Sequence, residues 1–183
     1  MKATRGSRGW LTGQEISRQV RLGRIVIEPF DTGLVNPNSY NYTLAPSIKR
    51  LTNDVIDLRG EDTWEELTIG AQGLCLRPGQ CYLGCTNETF GSSWYASLIT
   101  GRSSIGRKFI TNHVTAGLVD VGFVGRITLE VVVMKPTIVY SGIPFGQIFW
   151  FSLAGRATRY KGKYQLQAEP TVSRIRMDKV SRR

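Results

Sequence analysis

Thirty consecutive residues, Gly101 to Glu130 (GRSSIGRKFITNHVTAGLVDVGFVGRITLE), hold most of the groups in this chain that could do chemistry. Gly101-Arg102-Ser103-Ser104 offers free backbone N–H groups, two hydroxyls and a guanidinium, a donor set suited to phosphate oxygens at the start of a turn or helix. Arg107 follows one turn later. Downstream stand two carboxylates, Asp120 and Glu130, as candidate acid/base groups. Glu130 ends Arg126-Ile-Thr-Leu-Glu and precedes three valines, so its strand is largely apolar. Burial there favours the neutral carboxyl and raises its pKa, the condition for a group that must both take and give protons near neutrality. Taken singly, each group has a plainer reading: a helix cap with an exposed arginine, a turn aspartate among glycines, an outward-facing strand glutamate.

His113 is the sole histidine, and with Cys75, Cys81 and Cys85 it could complete a four-ligand zinc site. The pattern argues against zinc. Cys81 and Cys85 are spaced as same-face strand residues rather than as a C-x-x-C knuckle, and the H-x-E with P-C-x-x-C signature of zinc nucleobase deaminases is missing. His113 therefore reads as a packed or hydrogen-bonded residue near the site. Three cysteines are too few for a disulfide scaffold, no apolar stretch is long enough to span a bilayer, and no signal-peptide core follows the basic N-terminus. These features lead to the expectation of a cytoplasmic protein without a membrane partner.

A formal charge of +10 predicts attraction to anions, whether nucleic acid, acidic lipid or a nucleotide polyphosphate. Charge alone does not choose among them. Many basic residues cluster in MKATRGSR and SRIRMDKVSRR, which read as solvated termini. A nucleic-acid module would interleave basic residues with exposed aromatics on one face, whereas here they fall largely on the Gly101–Glu130 block, the Tyr160–Gln167 segment with its flanks, and the ends.

The elements that must position these groups are mostly strands. Thr12-Gly-Gln-Glu15 reads as a capping box with Leu11 and Ile16 as its hydrophobic staple and Gly23 as the stop, so one short helix opens the chain. Beyond it, IVIEPF, YNYTLAP, GLCLRPGQCYLGCT, SWYASLIT, RITLEVVVM, TIVYSGIP and GQIFWFSL alternate β-branched and aromatic residues with Gly and Pro punctuation. The expectation is a mainly β barrel or jelly-roll-like sandwich. One domain spans residues 1–183, with a basic arm over 1–10 and a tail from about 156, and Leu51 to Thr68 reads as a surface excursion.

The elements G-R-S-S-x-x-R, H-V-T-A-G-x-x-D-x-G-F-x-G and I-T-L-E, unbroken across thirty residues, resemble the dCTP deaminase family of the dUTP diphosphatase superfamily. Asn36-Pro-Asn-Ser-Tyr-Asn-Tyr-Thr-Leu44 is similar to the family's P-x-S-x-D-x-R-L strand, with Asn41 for Asp and Thr43 for Arg. Tyr160-Lys-Gly-Lys-Tyr164-Gln-Leu-Gln167 resembles its K-Y-x-x-Q tail, with Leu166 and Glu169 where Gly is usual and Ala168 for a polar or basic residue. The likeness covers roughly residues 11 to 176.

The resemblance implies a dUTPase-like distorted β-barrel in a homotrimer, with each active site at a subunit interface and closed by the tail. It implies zinc-independent deamination of dCTP to dUTP and ammonia, with or without onward hydrolysis to dUMP and diphosphate. Glu130 would be the proton shuttle, Ser103 and Arg107 would reach the catalytic centre, and Asp120 would lie beside the deoxyribose and position the hydrolytic water. Arg102, Ser104, Val114, Thr115, Ala116, Gln147, Tyr160, Lys163, Tyr164 and Gln167 would complete the nucleotide site. Mg²⁺ would accompany the triphosphate, and dTTP would act as an inhibitor. The Ala116-Gly117 pair resembles members that carry out both reactions. Two alternatives stay open: a dUTP diphosphatase without deamination, and a non-catalytic nucleotide- or nucleic-acid-binding module on the same fold.

Overall fold

The structure is a computed structural model that describes residues 9–178; the basic segments at residues 1–8 and 179–183 lie outside the described residues. Thr12 caps helix α1 (Gly13–Arg21) by accepting the Glu15 N–H at 3.3 Å. The chain leaves through Gly23 at φ +66°, a left-handed conformation that favours glycine. Leu11 and Ile16, the staple pair, are both buried.

The rest is mainly β. The strands are β1 (Ile25–Glu28), β2 (Val35–Asn36), β3 (Ser39–Thr43), β4 (Ser47–Leu51), β5 (Trp64–Thr68), β6 (Leu74–Leu76), β7 (Tyr82–Ser92), β8 (Ala96–Gly101), β9 (Ile110–Thr111), β10 (Leu118–Val119), β11 (Val124–Val133), β12 (Thr137–Val139) and β13 (Pro144–Phe151), with a single-turn helix α2 (Ser103–Gly106) after β8. One sheet runs β5-β4-β7-β11-β9 with β1 also on β7, a second runs β10-β8-β13-β3-β2, and β12 pairs with β6. The core holds Trp150, Tyr40, Tyr42, Phe90 and Phe145, all fully buried. Alternation sets each strand's faces: Ile127, Leu129 and Val131 of β11 are buried while Thr128 and Glu130 face the other way.

The expected excursion at Leu51 to Thr68 is only partly loop. Trp64–Thr68 is strand β5, paired along all of β4, because its acidic residues meet basic ones across the ladder: Lys49 with Glu66, and Arg50 with Glu65 at 2.6 Å. Such pairs contribute about 0–1 kcal/mol each. Their consequence is register, which carries Trp64 onto the same face as Leu51.

β7 carries extra residues opposite β11, since the register jumps from Arg126↔Thr89 to Thr128↔Cys85. The bulge buries Thr86 and Glu88. Thr86 Oγ1 accepts the Ile127 N–H, and the Glu88 carboxyl accepts the N–H and hydroxyl of Thr43. Burial pushes Glu88 above the usual carboxylate range, and the Thr43 hydrogen bonds only partly offset it.

From residue 159 to residue 173 the tail lies along the outer edge of the segment that opens β11. Tyr160 N–H donates to Val121 O, Leu166 N–H to Val124 O, Arg126 N–H to Gln167 O and Thr171 N–H to Thr128 Oγ1. The Gln165 and Gln167 amides add bonds to Gly122 O and Arg126 O. Two glycines permit this approach: a Cβ at Gly122 would stand 2.8 Å from Arg159 Cβ, and one at Gly125 would stand 3.0 Å from Gln167 O. Leu166, where glycine is usual, is held at φ +60°, which costs a side-chain-bearing residue roughly 1–2 kcal/mol.

Two outcomes follow from this fold. Gly125→Val should lift the tail while leaving the core folded. Limited trypsinolysis should then cleave at Arg159 and Lys161 several-fold faster than in the wild type, with thermal unfolding little changed; an equally protected tail would contradict the close approach. For Glu88 the folded-state pKa is raised, so its contribution is fully present below about pH 4.5 and is lost as pH rises through the folded value. Glu88→Gln removes that loss, so the Tm of wild type minus that of the variant should fall between pH 5 and 7, and a pH-independent difference would contradict it.

Candidate active site

The face of the first sheet that carries Glu130 forms the floor of a cavity of about 520 Å³. Register fixes what stands beside the carboxylate. Glu130 on β11 is opposite Leu83 on β7, and Leu83 is opposite Lys49 on β4. One row further along, Cys81 accepts the Leu51 N–H through its carbonyl, and Leu51 is opposite Trp64. Leu83, Cys81, Leu51 and Trp64 all line the cavity. Ile56 and Asp62 of the β4–β5 loop rim it on that side, and Tyr160, Tyr164, Gln167 and Thr171 of the tail close the other.

Glu130 is not buried as its apolar strand suggested. Its side chain is 36% exposed, because alternation sends the neighbouring Leu129 and Val131 into the core and leaves Glu130 facing the cavity. Its Oε2 accepts the Val114 N–H at 2.9 Å and lies 3.5 Å from Nδ1 of His113, whose side chain is only 9% exposed. Val114 thus contributes backbone while its own side chain is exposed. Asp120 sits on the turn between β10 and β11, ahead of Gly122 at φ +94°, exposed and on the wall of the same cavity as Ala116. Glu130 and Asp120 of one chain thus share one cavity, with Asp62 at its rim, a floor of thiol and aliphatic groups, and a phenol-bearing roof.

Other residues singled out in the sequence lie elsewhere in the chain. Arg102 caps α2 with its backbone and makes no side-chain capping bond; Ser103, Ser104 and Arg107 are exposed there, and none lines this chain's own cavity. Thr115 is also exposed and off the cavity wall. Gln147 belongs to the second sheet, where β13 pairs with β3, and its Oε1 accepts the Ser39 hydroxyl at 3.0 Å. The reason is topological: β13 is a central strand of the sheet that does not carry Glu130.

Within the tail, Lys163 Nζ donates to Arg174 O at 2.9 Å and pairs with Asp178 at 2.6 Å. Tyr160 Oη accepts the Tyr164 N–H, and Tyr164 Oη accepts the Arg174 N–H, so the phenols brace the tail as well as facing the cavity. Gln167 holds its own place by donating to Arg126 O. Glu169 is exposed and does not line the cavity. Arg176 pairs with Glu61, tying the tail's last turn to the β4–β5 loop.

Sequence reasoning missed Thr128, Leu83, Cys81 and Trp64. Thr128 was within reach, two residues before Glu130 and so on its face by strand alternation. The others depend on β4–β5 pairing, which no local pattern announces. Among the described residues no group of three or more His, Cys, Asp or Glu side chains could hold a metal ion, and Cys75, Cys81 and Cys85 are free thiols. No described helix is long and apolar enough to cross a membrane.

Comparison with known proteins places this geometry. Residues 10–153 match the family model described as dCTP deaminase-like. The chain is 44% identical over 157 residues to a protein of Cytophaga hutchinsonii named "dCTP deaminase, dUMP-forming", covering 85% of this chain and 90% of the relative. A protein of the same name from Clostridium beijerinckii is 40% identical over 156 residues, with the same coverage. Among solved structures, the 2'-deoxycytidine 5'-triphosphate deaminase of Agrobacterium tumefaciens superposes with a TM-score of 0.64 at 21% identity, over 79% of this chain and 48% of that one, and so shares the fold. With residues 10–153 matched by the family model and 85% of its length matched by such relatives, the chain belongs to the dCTP deaminase-like family.

Proposed function

We propose that the protein deaminates dCTP to dUTP and carries it on to dUMP and diphosphate. The observation that carries this reading is Glu130: a carboxylate open to a cavity, oriented by a backbone N–H, and sharing that cavity with Asp120. In the deamination Glu130 takes a proton from water and delivers it to N3 of the cytosine ring. The water oxygen bonds to C4, and ammonia departs. The Val114 N–H fixes one carboxylate oxygen and leaves the other for this traffic. Retention of Glu130 argues against a diphosphatase that has lost deamination, because hydrolysis alone does not need the second carboxylate.

Two observations support the onward hydrolysis. The relatives carry the name "dUMP-forming". Gly117 supplies a physical basis: a Cβ there would stand 2.8 Å from Ile99 O, so a bulkier residue would displace the segment leading to Asp120, the group that positions the hydrolytic water.

The phosphate donors of the α2 turn face outward while the acid/base pair faces the cavity. A homotrimer reconciles the two, with Arg102, Ser103, Ser104 and Arg107 of one subunit completing the site of its neighbour. Phe109 and Met134, linked by the Met134 N–H to Phe109 O bond, are large and exposed beside that turn and suit such an interface. Val114, Thr115, Gln147, Tyr160, Lys163, Tyr164 and Gln167 belong to the same reading as nucleotide contacts, direct or through the residues they hold. Mg²⁺ enters with the triphosphate, whose charge it offsets, and zinc takes no part. A cytoplasmic setting and inhibition by dTTP are part of the reading, and nucleic acid and membrane are not its partners.

Glu130→Gln keeps the shape but cannot shuttle a proton. Ammonia release should fall by a factor of order 10² or more while dCTP binding, read by calorimetry, stays within a few-fold. Wild-type turnover in that variant would overturn the assignment. The shared site has its own test. Arg107→Ala and Glu130→Gln proteins, each inactive, should regain part of the wild-type rate when unfolded together and refolded as a mixture, since some sites then draw Arg107 and Glu130 from intact copies. No recovery in mixed oligomers would contradict a site shared between subunits.

A further inference from the structure

Asn112 is a polar side chain at a core position. Strand β9 pairs antiparallel with β11, and alternation along Ile110, Thr111 and Asn112 sends the first and third of these inward. Asn112 is 3% exposed, so its amide hydrogens need acceptors inside the protein. Both acceptors belong to the other sheet: Nδ2 donates to Tyr42 Oη on β3 at 2.8 Å and to Phe145 O on β13 at 3.1 Å. Tyr42 is fully buried, and its hydroxyl in turn donates to Thr100 O on β8 at 3.3 Å. Burial pushes the phenol well above its usual range, so it keeps the proton that this bond requires. Two glycines leave room for the pair. Gly146 stands opposite Gly101 where β13 meets β8; a Cβ on Gly146 would lie 2.0 Å from Tyr42 Oη and 2.5 Å from Asn112 Nδ2, and one on Gly101 would lie 3.3 Å from Asn112 Oδ1.

These bonds stand at the base of an excursion of the chain. Thr100 and Asn112 are its two ends: between them the chain leaves the second sheet, passes Arg102, Ser103, Ser104 and Arg107 at the α2 turn, and enters the first sheet as β9. Immediately after Asn112 come His113, which stands beside Glu130, and Val114, whose N–H holds Glu130 Oε2. An apolar residue would fill the Asn112 position without the cost of desolvating an amide. What it could not supply is a directional attachment between the two ends of the excursion.

We propose that Asn112 is a positioning residue for the deamination: through Tyr42 it fixes the His113–Val114 segment, and with it Glu130, relative to the strand that leads into the α2 turn. The proposal rests on the deaminase reading above. Misplacing a reacting group by about 1 Å can cost of order 10²-fold in rate, so loss of the attachment falls on kcat. Nucleotide affinity, spread over many contacts, changes little.

The test compares Asn112→Leu, Tyr42→Phe and the two combined in the full chain, at a temperature well below each Tm. In both single variants kcat for ammonia release from dCTP should fall at least tenfold, while dCTP affinity by calorimetry stays within about threefold of wild type. Tyr42→Phe alone leaves a buried amide hydrogen of Asn112 unpaired, a cost that the double variant removes, so the Tm of the double variant should lie above that of Tyr42→Phe. Its kcat should nevertheless stay as low as in the slower single variant, because all three have lost the same attachment. The double variant carries the same kcat comparison where a single variant does not fold. A kcat that recovers together with the Tm, or that stays within threefold of wild type in the variants, would make Asn112 a structural residue only; that result overturns the proposal and leaves the deaminase reading standing. So would a loss of dCTP affinity with kcat unchanged. Wild-type protein that releases no ammonia from dCTP would overturn both.

Discussion

The outer edge of β11 is the constraint on which the site depends. A long strand that carries Glu130 in its second half would expose unpaired N–H and C=O groups along its opening residues, and such an edge must be covered or it will pair with something else. Here the chain covers it with its own tail. The bonds at Val121, Val124, Arg126 and Thr128 satisfy the edge and set Tyr160, Tyr164 and Gln167 over the cavity in the same act. Gly122 and Gly125 make that approach sterically possible, which gives the D-x-G-F-x-G run a physical meaning beyond punctuation. Closure of the site and completion of the sheet are one interaction.

The distribution of charge around the cavity is the second constraint. The groups that could hold phosphate lie on the α2 turn and in the tail, while the floor beyond Glu130 is apolar and bordered by Asp62. In the tail, the Lys163 ammonium holds a carboxylate, that of Asp178.

Much of this was legible in the sequence, for identifiable reasons. Thr12, Glu15 and Gly23 mark α1 because capping is local chemistry, and the strand runs from IVIEPF to GQIFWFSL are found as strands because alternation is local too. The motif block contains both Glu130 and Asp120, which line one cavity. What failed was non-local. The strand at Trp64–Thr68 was unreadable because its pairing partners, Lys49 and Arg50 among them, lie on another strand, and so the aromatic end of the cavity was invisible. The apolar neighbours of Glu130 suggested burial, yet they are its period-2 opposites and point into the core. Gln147 carries no local sign of which sheet it will join.

The central claim is that water, activated by Glu130, replaces the C4 amine of dCTP before the triphosphate is cleaved. The most direct measurement is a single-turnover reaction of dCTP with the wild-type protein in ¹⁸O-labelled water, quenched in time and read by mass spectrometry. The account predicts one ¹⁸O on the uracil ring in every product, ammonia released in equal amount, and a second label on dUMP or diphosphate that appears later. Unlabelled cytosine in a monophosphate product, or cleavage of the triphosphate with no ammonia released, would contradict it.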